Sequence, residues 1–182
     1  MGEAKPSSGK PNYAGFFAGA VVVCLIVAYA IYATRSAGAD AALEAAMLVL
    51  RQAQTEYRRV DRNGNGYLEY PILLSALVET EGAPLISREM AAACDTGAAT
   101  TYFGYTFRMM PGFIDDSGQA VSYSLAPGGE STLDGFTIAA LPQGGTAGRT
   151  AFFISETGGV WRVELDGRSA EDVQAGYAPA RR

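Results

Sequence analysis

The feature that most constrains this chain is an uncharged stretch of twenty residues near its N-terminus, Ala14–Ala33. A helix rises 1.5 Å per residue, so a helix of this length spans the roughly 30 Å hydrocarbon core of a bilayer. A cleaved secretory signal is the alternative, but its apolar region is shorter and ends at a small-residue cleavage site, which does not clearly follow here. The sequence therefore predicts a retained transmembrane helix over residues 13–35, preceded by a flexible segment over 1–12.

Basic residues around this stretch indicate its orientation. Lys5, Lys10 and the free amino terminus precede it, and Arg35 follows it. Because positive charge stays on the cytoplasmic side, this balance favours a cytoplasmic N-terminus. We expect a single-pass protein of the inner (cytoplasmic) membrane, with an extracytoplasmic domain over residues 36–168 and a flexible tail over 169–182.

The charge of the predicted domain limits its function. After Arg35 the chain holds 11 arginines and 18 acidic residues, while both lysines precede this point and histidine is absent. Such an acidic domain repels nucleic acid and anionic lipid head groups. General acid–base catalysis usually employs His, Lys or a carboxylate of shifted pKa, and the first two are missing from the domain. Cys94 is its single cysteine, so an intradomain disulfide is excluded and a buried, inert thiol is expected.

Hydrophobic periodicity predicts an amphipathic helix over Asp40–Val60, whose apolar stripe is Leu43, Met47, Leu50 and Tyr57. A further helical stretch is predicted over Pro71–Glu81, and Ser87 can cap a short helix that reaches Cys94. Aromatic and β-branched runs then predict strands, with a short one in the otherwise loop-like segment Pro111–Asp134. The predicted strands are Thr100–Met110, Ala120–Leu125, Gly135–Leu141, Thr150–Ser155 and Val160–Leu165.

Together these elements predict an α+β fold. A long N-terminal helix, half transmembrane and half amphipathic, packs on a small antiparallel β-sheet of three or four strands. The aromatic residues of these strands, Trp161 included, are expected mostly in the core.

The turn after the amphipathic helix resembles the front half of a calcium-binding loop. Oxygen-bearing side chains at alternate positions converge when the chain curls, and Gly66 permits the curl. The position that should close the loop is Ile72, which offers no carboxylate, so a turn that simply ends the helix is the alternative. Calcium is thus the one candidate cofactor. Its candidate ligands are Asp61, Asn63, Asn65, the Tyr67 carbonyl and Glu69.

The remaining polar clusters give little support to catalysis. Asp115 and Asp116 are adjacent acids in a loop, where the side chains need not converge, so a solvated pair is the simpler interpretation. The glycine-rich segment 144–148 lies between two strands and not before a helix, so it lacks the amide cradle of a phosphate loop. We expect no catalytic residues.

The order of these motifs resembles that of the type IV pilin and type II secretion pseudopilin family. Pilin-like proteins carry a DRDGNG-type turn before a sheet, and residues 57–70, YRRVDRNGNGYLEY, are similar to it. Residues 104–107 (GYTF) and 148–160 are similar to later motifs of the same family, and to a family of uncharacterised exported bacterial proteins. Gly15-Phe16 reproduces the pilin cleavage point, but Ala20 stands where pilins carry the membrane glutamate that aligns their subunits.

Three functions follow from these features. The resemblance implies a non-enzymatic, membrane-anchored structural or assembly protein, with lipid and other membrane subunits or copies of itself as partners. A single-helix accessory subunit of a respiratory or photosynthetic complex is the alternative, since small residues in the first half of the helix allow close helix packing. A third is a small-ligand-binding or enzymatic domain that uses loop 111–134. A pocket where carboxylates near Asp115, Asp116 and Asp134 converge would support this third function.

Overall fold

The computed structural model describes residues 38–78, 83–115, 117–143 and 150–165. Almost all of them belong to one compact unit that begins at Ala41. The predicted transmembrane helix over 13–35, the segment 1–12 and the tail 169–182 lie outside the described residues. Within the part of the chain that is described, no helix is long and apolar enough to cross a membrane.

The described elements are one long helix, two single turns of helix and eight strands. Helix α1 occupies residues 38–57. A 3₁₀ helix, η1, covers Leu74–Val78, and α2 is the single turn Arg88–Ala91. The strands are β1 Tyr70–Pro71, β2 Tyr105–Met109, β3 Gly112–Ile114, β4 Ala120–Ser122, β5 Ser131–Thr132, β6 Thr137–Pro142, β7 Thr150–Ser155 and β8 Trp161–Glu164.

All strands pair antiparallel and form three sheets in the described residues. The largest has four strands in the order β2-β6-β7-β8, and its β6 strand runs against β2 from Ile138 opposite Met109 to Pro142 opposite Tyr105. Strands β3 and β4 form a hairpin, and β1 pairs with β5. The described part of the domain is therefore rich in antiparallel sheet.

The predicted α+β plan of a long helix packed on one small sheet is wrong. The described residues of the domain form three antiparallel sheets with eight strands, and one α-helix longer than a single turn. Segment 111–134, predicted mostly as loop, contains β3, β4 and β5, and the start of the predicted helix Pro71–Glu81 is taken by β1. The strand predicted over Ala120–Leu125 is present as the shorter β4, but β1, β3 and β5 have two or three residues each, too few to show alternation, and periodicity did not detect them.

The amphipathic pattern of α1 is confirmed. Leu43, Met47 and Leu50 are fully buried in one hydrophobic cluster with residues of the four-stranded sheet. Gln54 interrupts this stripe and is also buried, because its side-chain Nε2 donates to the carbonyl oxygen of Pro71 at 3.0 Å. A backbone acceptor thus offsets the desolvation of the amide nitrogen, whereas the buried Oε1 of Gln54 has no hydrogen-bond partner among the described residues.

The central strands β6 and β7 are buried on both faces. Ile138 and Ala140 of β6 join the cluster that contains α1, whereas Ala139 and Leu141 join a second cluster on the opposite face. Strand β7 continues this alternation. Burial on both faces explains why these two strands read as continuous apolar runs instead of an alternating pattern.

The outer edge of β2 is covered by the chain that follows α2. Phe107 donates its N–H to the carbonyl of Ala93 at 2.8 Å and accepts from the N–H of Asp95 at 2.7 Å.

The predicted cap of the preceding helix is confirmed, because the Ser87 hydroxyl accepts from the N–H of Met90. The inert thiol is also confirmed, since burial, helped by the charge of Asp95, raises the pKa of Cys94 to about 12.

We predict that Leu50→Ala lowers the free energy of unfolding by about 3 kcal/mol, because it leaves a cavity between α1 and the sheet. Leu48 lies on the same helix but is 43% exposed. Leu48→Ala is therefore a matched control and should cost less than about 0.5 kcal/mol. Chemical denaturation of both variants measures the difference, and equal losses would show that α1 does not anchor the core.

Candidate functional site

The turn at Asp61 adopts the curled shape that its sequence predicts. The Asp61 carboxylate accepts from the backbone N–H groups of Gly64, Asn65 and Gly66 at 2.9, 3.2 and 2.8 Å. Gly64 and Gly66 have φ angles of +69° and +85°, which glycine adopts without strain. One carboxylate therefore holds the whole turn.

Glu69 closes this turn from the inside. It is buried, and its carboxylate accepts from the side-chain amides of Asn63 and Asn65 and from the Ser131 hydroxyl. The Asn65 side-chain oxygen accepts from the N–H of Tyr67 at 2.9 Å, and the Tyr67 side chain is exposed. The structure thus brings Asp61, Asn63, Asn65 and Glu69 together in one turn, and the Tyr67 backbone joins this turn through its N–H.

The donor set of the turn fits calcium poorly in this arrangement. Calcium takes six to eight oxygen ligands, but Asn63 and Asn65 turn their amide nitrogens towards Glu69. Both Asp61 oxygens already accept backbone N–H groups. Among the described residues, no three His, Cys, Asp or Glu side chains form a group that suits a metal. Calcium binding here stays a prediction, and the alternative of a helix-ending turn agrees with these bonds.

A second candidate site is a cleft of about 410 Å³ beside the four-stranded sheet. Three carboxylates and four aromatic rings line it, together with smaller polar groups and one aliphatic side chain. No Lys or Arg occurs among these described lining residues. They are Phe113, Ile114, Asp115, Tyr123, Asp134, Phe136, Thr137, Ser155, Glu156, Thr157 and Trp161.

The β3–β4 hairpin forms one wall of the cleft. Its start is attached to the sheet by the N–H of Met110, which donates to the carbonyl of Thr137 at 2.8 Å. Its end pairs with its own start, because the N–H of Tyr123 donates to the carbonyl of Pro111 at 3.1 Å. The rings of Phe113 and Tyr123, on the two sides of the hairpin, lie 5.9 Å apart. The hairpin is therefore tied to β6 at its base.

Asp115 and Asp134 are both held in their charged form. A hydrogen bond from the Ser117 hydroxyl holds the pKa of Asp115 below its ordinary value. Backbone N–H groups lower this pKa further, and that of Gln119 has the largest effect among them. Desolvation opposes ionisation of Asp134, but the hydroxyl and N–H of Ser124 outweigh it and lower the pKa of this carboxyl also. Both groups carry a negative charge at neutral pH.

Tyr123 lies between two of the carboxylates. Its hydroxyl is 2.6 Å from the hydroxyl of Thr137. Burial raises its pKa, and the charges of Glu156 and Asp134 raise it further. The ring crosses close to Gly135, where a Cβ atom would lie 3.1 Å from Tyr123 Cε1, nearer than the roughly 3.5 Å of a normal carbon contact. Glycine at this position thus lets the ring reach Thr137.

A hydrogen-bonded chain fixes the third carboxylate. The Tyr70 hydroxyl donates to Glu156 Oε2 at 2.8 Å and accepts from Nη1 of Arg58 at 2.7 Å. Burial, with the hydrogen bond to Glu156, raises the pKa of Tyr70. The edge of the Tyr70 ring packs against Phe136, another cleft residue, at 4.9 Å between centroids. A tyrosine hydroxyl thereby orients Glu156, and no salt bridge in the described part of the chain involves this carboxylate.

Trp161 forms part of the cleft wall at the start of β8. Its indole stacks on Phe153 with 5.6 Å between ring centroids. Its indole nitrogen is buried and has no hydrogen-bond acceptor in the described part of the chain. Trp161 is the only tryptophan of the sequence. Its fluorescence therefore reports on this wall alone.

The structure brings Asp115 and Asp134 of the long connection to one cleft, as the third sequence hypothesis requires, while Asp116 lies outside the described residues. Sequence reasoning missed Glu156 and Tyr123, and it assigned Trp161 mostly to the core. No motif marks these residues. Of the two missed residues, only Tyr123 lay in a predicted element, the strand Ala120–Leu125.

These features define a class of protein: an antiparallel, sheet-rich domain with an acidic, aromatic cleft. The chain matches the model of the family described as protein of unknown function (DUF2950) over residues 35–180. This match covers most of the chain, so the protein belongs to that family. No curated protein and no solved structure matches the chain. The resemblance to pilins and pseudopilins stays a prediction.

We predict that Asp61→Ala lowers the free energy of unfolding by about 1 to 2 kcal/mol, since three backbone N–H groups lose their acceptor. The loss should be the same in calcium and in chelator. Asp61→Asn, which keeps one acceptor oxygen, is the control and should lose less. Thermal unfolding measures both. A calcium-dependent rise in melting temperature that Asp61→Ala abolishes would instead show a calcium site.

Proposed function

We propose that this protein is a non-enzymatic binding domain, held at the outer face of a membrane by residues 13–35, which takes a small organic molecule in the cleft. The observation that carries the proposal is the meeting of Asp115, Asp134 and Glu156 with four aromatic rings around about 410 Å³. This volume lies within the roughly 300 to 1,000 Å³ of small-molecule sites. Such sites also combine apolar walls with a few fixed polar groups.

The chemistry of the cleft suits binding better than catalysis. An acid–base catalyst needs a pKa near the working pH. Asp115 and Asp134 have lowered pKa values, and the pKa of Tyr123 is raised above its ordinary alkaline value. These three groups therefore keep one protonation state at neutral pH. Fixed charges and hydroxyls orient a ligand but do not exchange protons with it.

The fixed geometry of the walls supports the same proposal. Hydrogen bonds join the base of the hairpin to β6, the Tyr123 hydroxyl to that of Thr137, and Glu156 to Tyr70. Because these side chains are held before a ligand arrives, little conformational entropy is lost on binding. A preformed cleft of this kind is what a receptor domain requires.

The proposal is tested with the full chain in lipid nanodiscs and a library of small soluble fragments of mixed charge. We predict that some fragments change the fluorescence of Trp161, because this single tryptophan lines the cleft. Thr157 is exposed and also lines the cleft, so Thr157→Phe should weaken these fragments at least about tenfold by filling their space.

The control is Thr55→Phe, an equal change at an exposed position of α1. It should leave every fragment affinity unchanged. A library in which no fragment changes the emission, or whose fragments bind the two variants alike, would contradict a binding role for the cleft.

A further inference from the structure

We infer that the cleft binds a tri- or tetraalkylammonium group, that is, a bulky organic cation whose charge is spread over its methyl groups. This inference rests on the proposed binding function and names its ligand class. It follows from the charge of the lining, from the hydrogen bonds already made by the carboxylates and from the position of the aromatic rings.

The charge of the cleft is negative and not balanced locally. Asp115, Asp134 and Glu156 line it, and no Lys or Arg does so among the described residues. Two cations lie near the cleft without lining it: Arg58 donates to Tyr70, the partner of Glu156, and helps to lower the pKa of Asp134, and Arg51 donates to the carbonyl of Gly158, next to Thr157. No salt bridge in the described residues involves any of the three carboxylates. A positive ligand therefore gains attraction that a neutral one lacks.

Hydrogen bonds from the protein already occupy several of the acceptor positions of the three carboxylates. Asp115 Oδ1 accepts from the N–H and hydroxyl of Ser117 and from the N–H of Gln119. Each Asp134 oxygen accepts one bond from Ser124, and Glu156 Oε2 accepts from Tyr70. A compact ammonium or guanidinium group needs free acceptors for its N–H donors. A diffuse alkylammonium needs only the charge, which these bonds preserve.

The aromatic rings provide the other contact that an alkylammonium needs. Phe113, Tyr123 and Trp161 come from three separate parts of the chain and are partly exposed where they line the cavity, and the fully buried Phe136 lies behind its wall. Alkylammonium cations are attracted to aromatic faces, and the interaction gains strength where water is excluded. The cavity thus combines apolar rings for the methyl groups with charges that stabilise the nitrogen.

Three molecules of nearly identical shape test the ligand class: choline, its neutral carbon analogue 3,3-dimethylbutan-1-ol, and the anion 3,3-dimethylbutanoate. Each is titrated into the full chain in nanodiscs while Trp161 fluorescence is recorded. We predict that choline binds at least about tenfold more tightly than the alcohol, and that the anion binds most weakly. The affinity for choline should fall as salt is added.

Charge-removing variants connect this preference to the cleft. Glu156→Gln keeps an acceptor for Tyr70 and should bring the ratio of choline to alcohol affinity towards one, as should Asp115→Asn at the rim. Glu89→Gln, at an exposed position of α2, is the control and should keep the ratio. If Glu156→Gln does not fold, as judged by circular dichroism, Asp115→Asn carries the test.

The two proposals fail in different ways. Equal binding of choline and its neutral analogue, or a preference that survives Glu156→Gln and Asp115→Asn, overturns the alkylammonium inference and leaves a binding cleft. If only the alcohol or the anion changes Trp161 emission, the ligand class is overturned likewise. The proposed binding function is overturned separately, by the fragment screen and its Thr157→Phe variant.

Discussion

The interaction on which the rest of the structure depends is the contact of the Arg58 guanidinium with two separate segments, residues 68–70 and the chain at Leu133. Arg58 follows α1 directly, and its nitrogens donate to the carbonyls of Leu68 and Leu133 and to the hydroxyl of Tyr70. Its guanidinium carbon also lies 4.6 Å from the centroid of the Tyr70 ring. Hydrogen bonds from a charged donor each contribute about 1.5 to 3 kcal/mol, more than neutral ones. This one side chain therefore joins the end of the helix to strand β1 and to the chain next to Asp134.

The cleft depends on this junction from both sides. Tyr70, which accepts from Arg58, donates to Glu156, and Leu133, which also accepts from Arg58, directly precedes Asp134. Two of the three cleft carboxylates are thus placed by groups bonded to the same arginine. The third, Asp115, is placed independently by the turn of the β3–β4 hairpin. Because two independent sets of contacts hold the three carboxylates, a change in one set leaves the carboxylates held by the other set in place.

Sequence reasoning succeeded where the physical signal was local. The buried stripe of α1, the cap at Ser87 and strand Thr150–Ser155 all follow from the spacing of neighbouring residues, and the structure has them as expected. The curl at Asp61 was equally readable, because glycine and Asx side chains determine it within six residues of chain.

The sheet plan and the cleft were not predictable in the same way. Strands β1 and β5 have two residues each and form only because Tyr70 lies opposite Thr132, far along the chain. In the sequence Glu156 is an ordinary turn residue, and only its proximity to Tyr70 and Tyr123 in the fold distinguishes it. Both depend on contacts between distant segments, which residue spacing does not encode. The sequence-based fold failed in segment 111–134 for this reason, and the same segment supplies much of the cleft.

The two edges of the four-stranded sheet determine how this domain meets other protein chains. The edge of β2 is occupied by the backbone of residues 93–95, so another strand cannot pair there without displacing two hydrogen bonds. At β8, the last strand among the described residues, exposed Arg162 and Glu164 alternate with the inward residues, and Arg162 is paired with Glu44 of α1. Charged side chains on an edge oppose the addition of a flat, uncharged strand. A second copy of the domain would therefore meet this sheet through side-chain contacts and not by adding a strand to it.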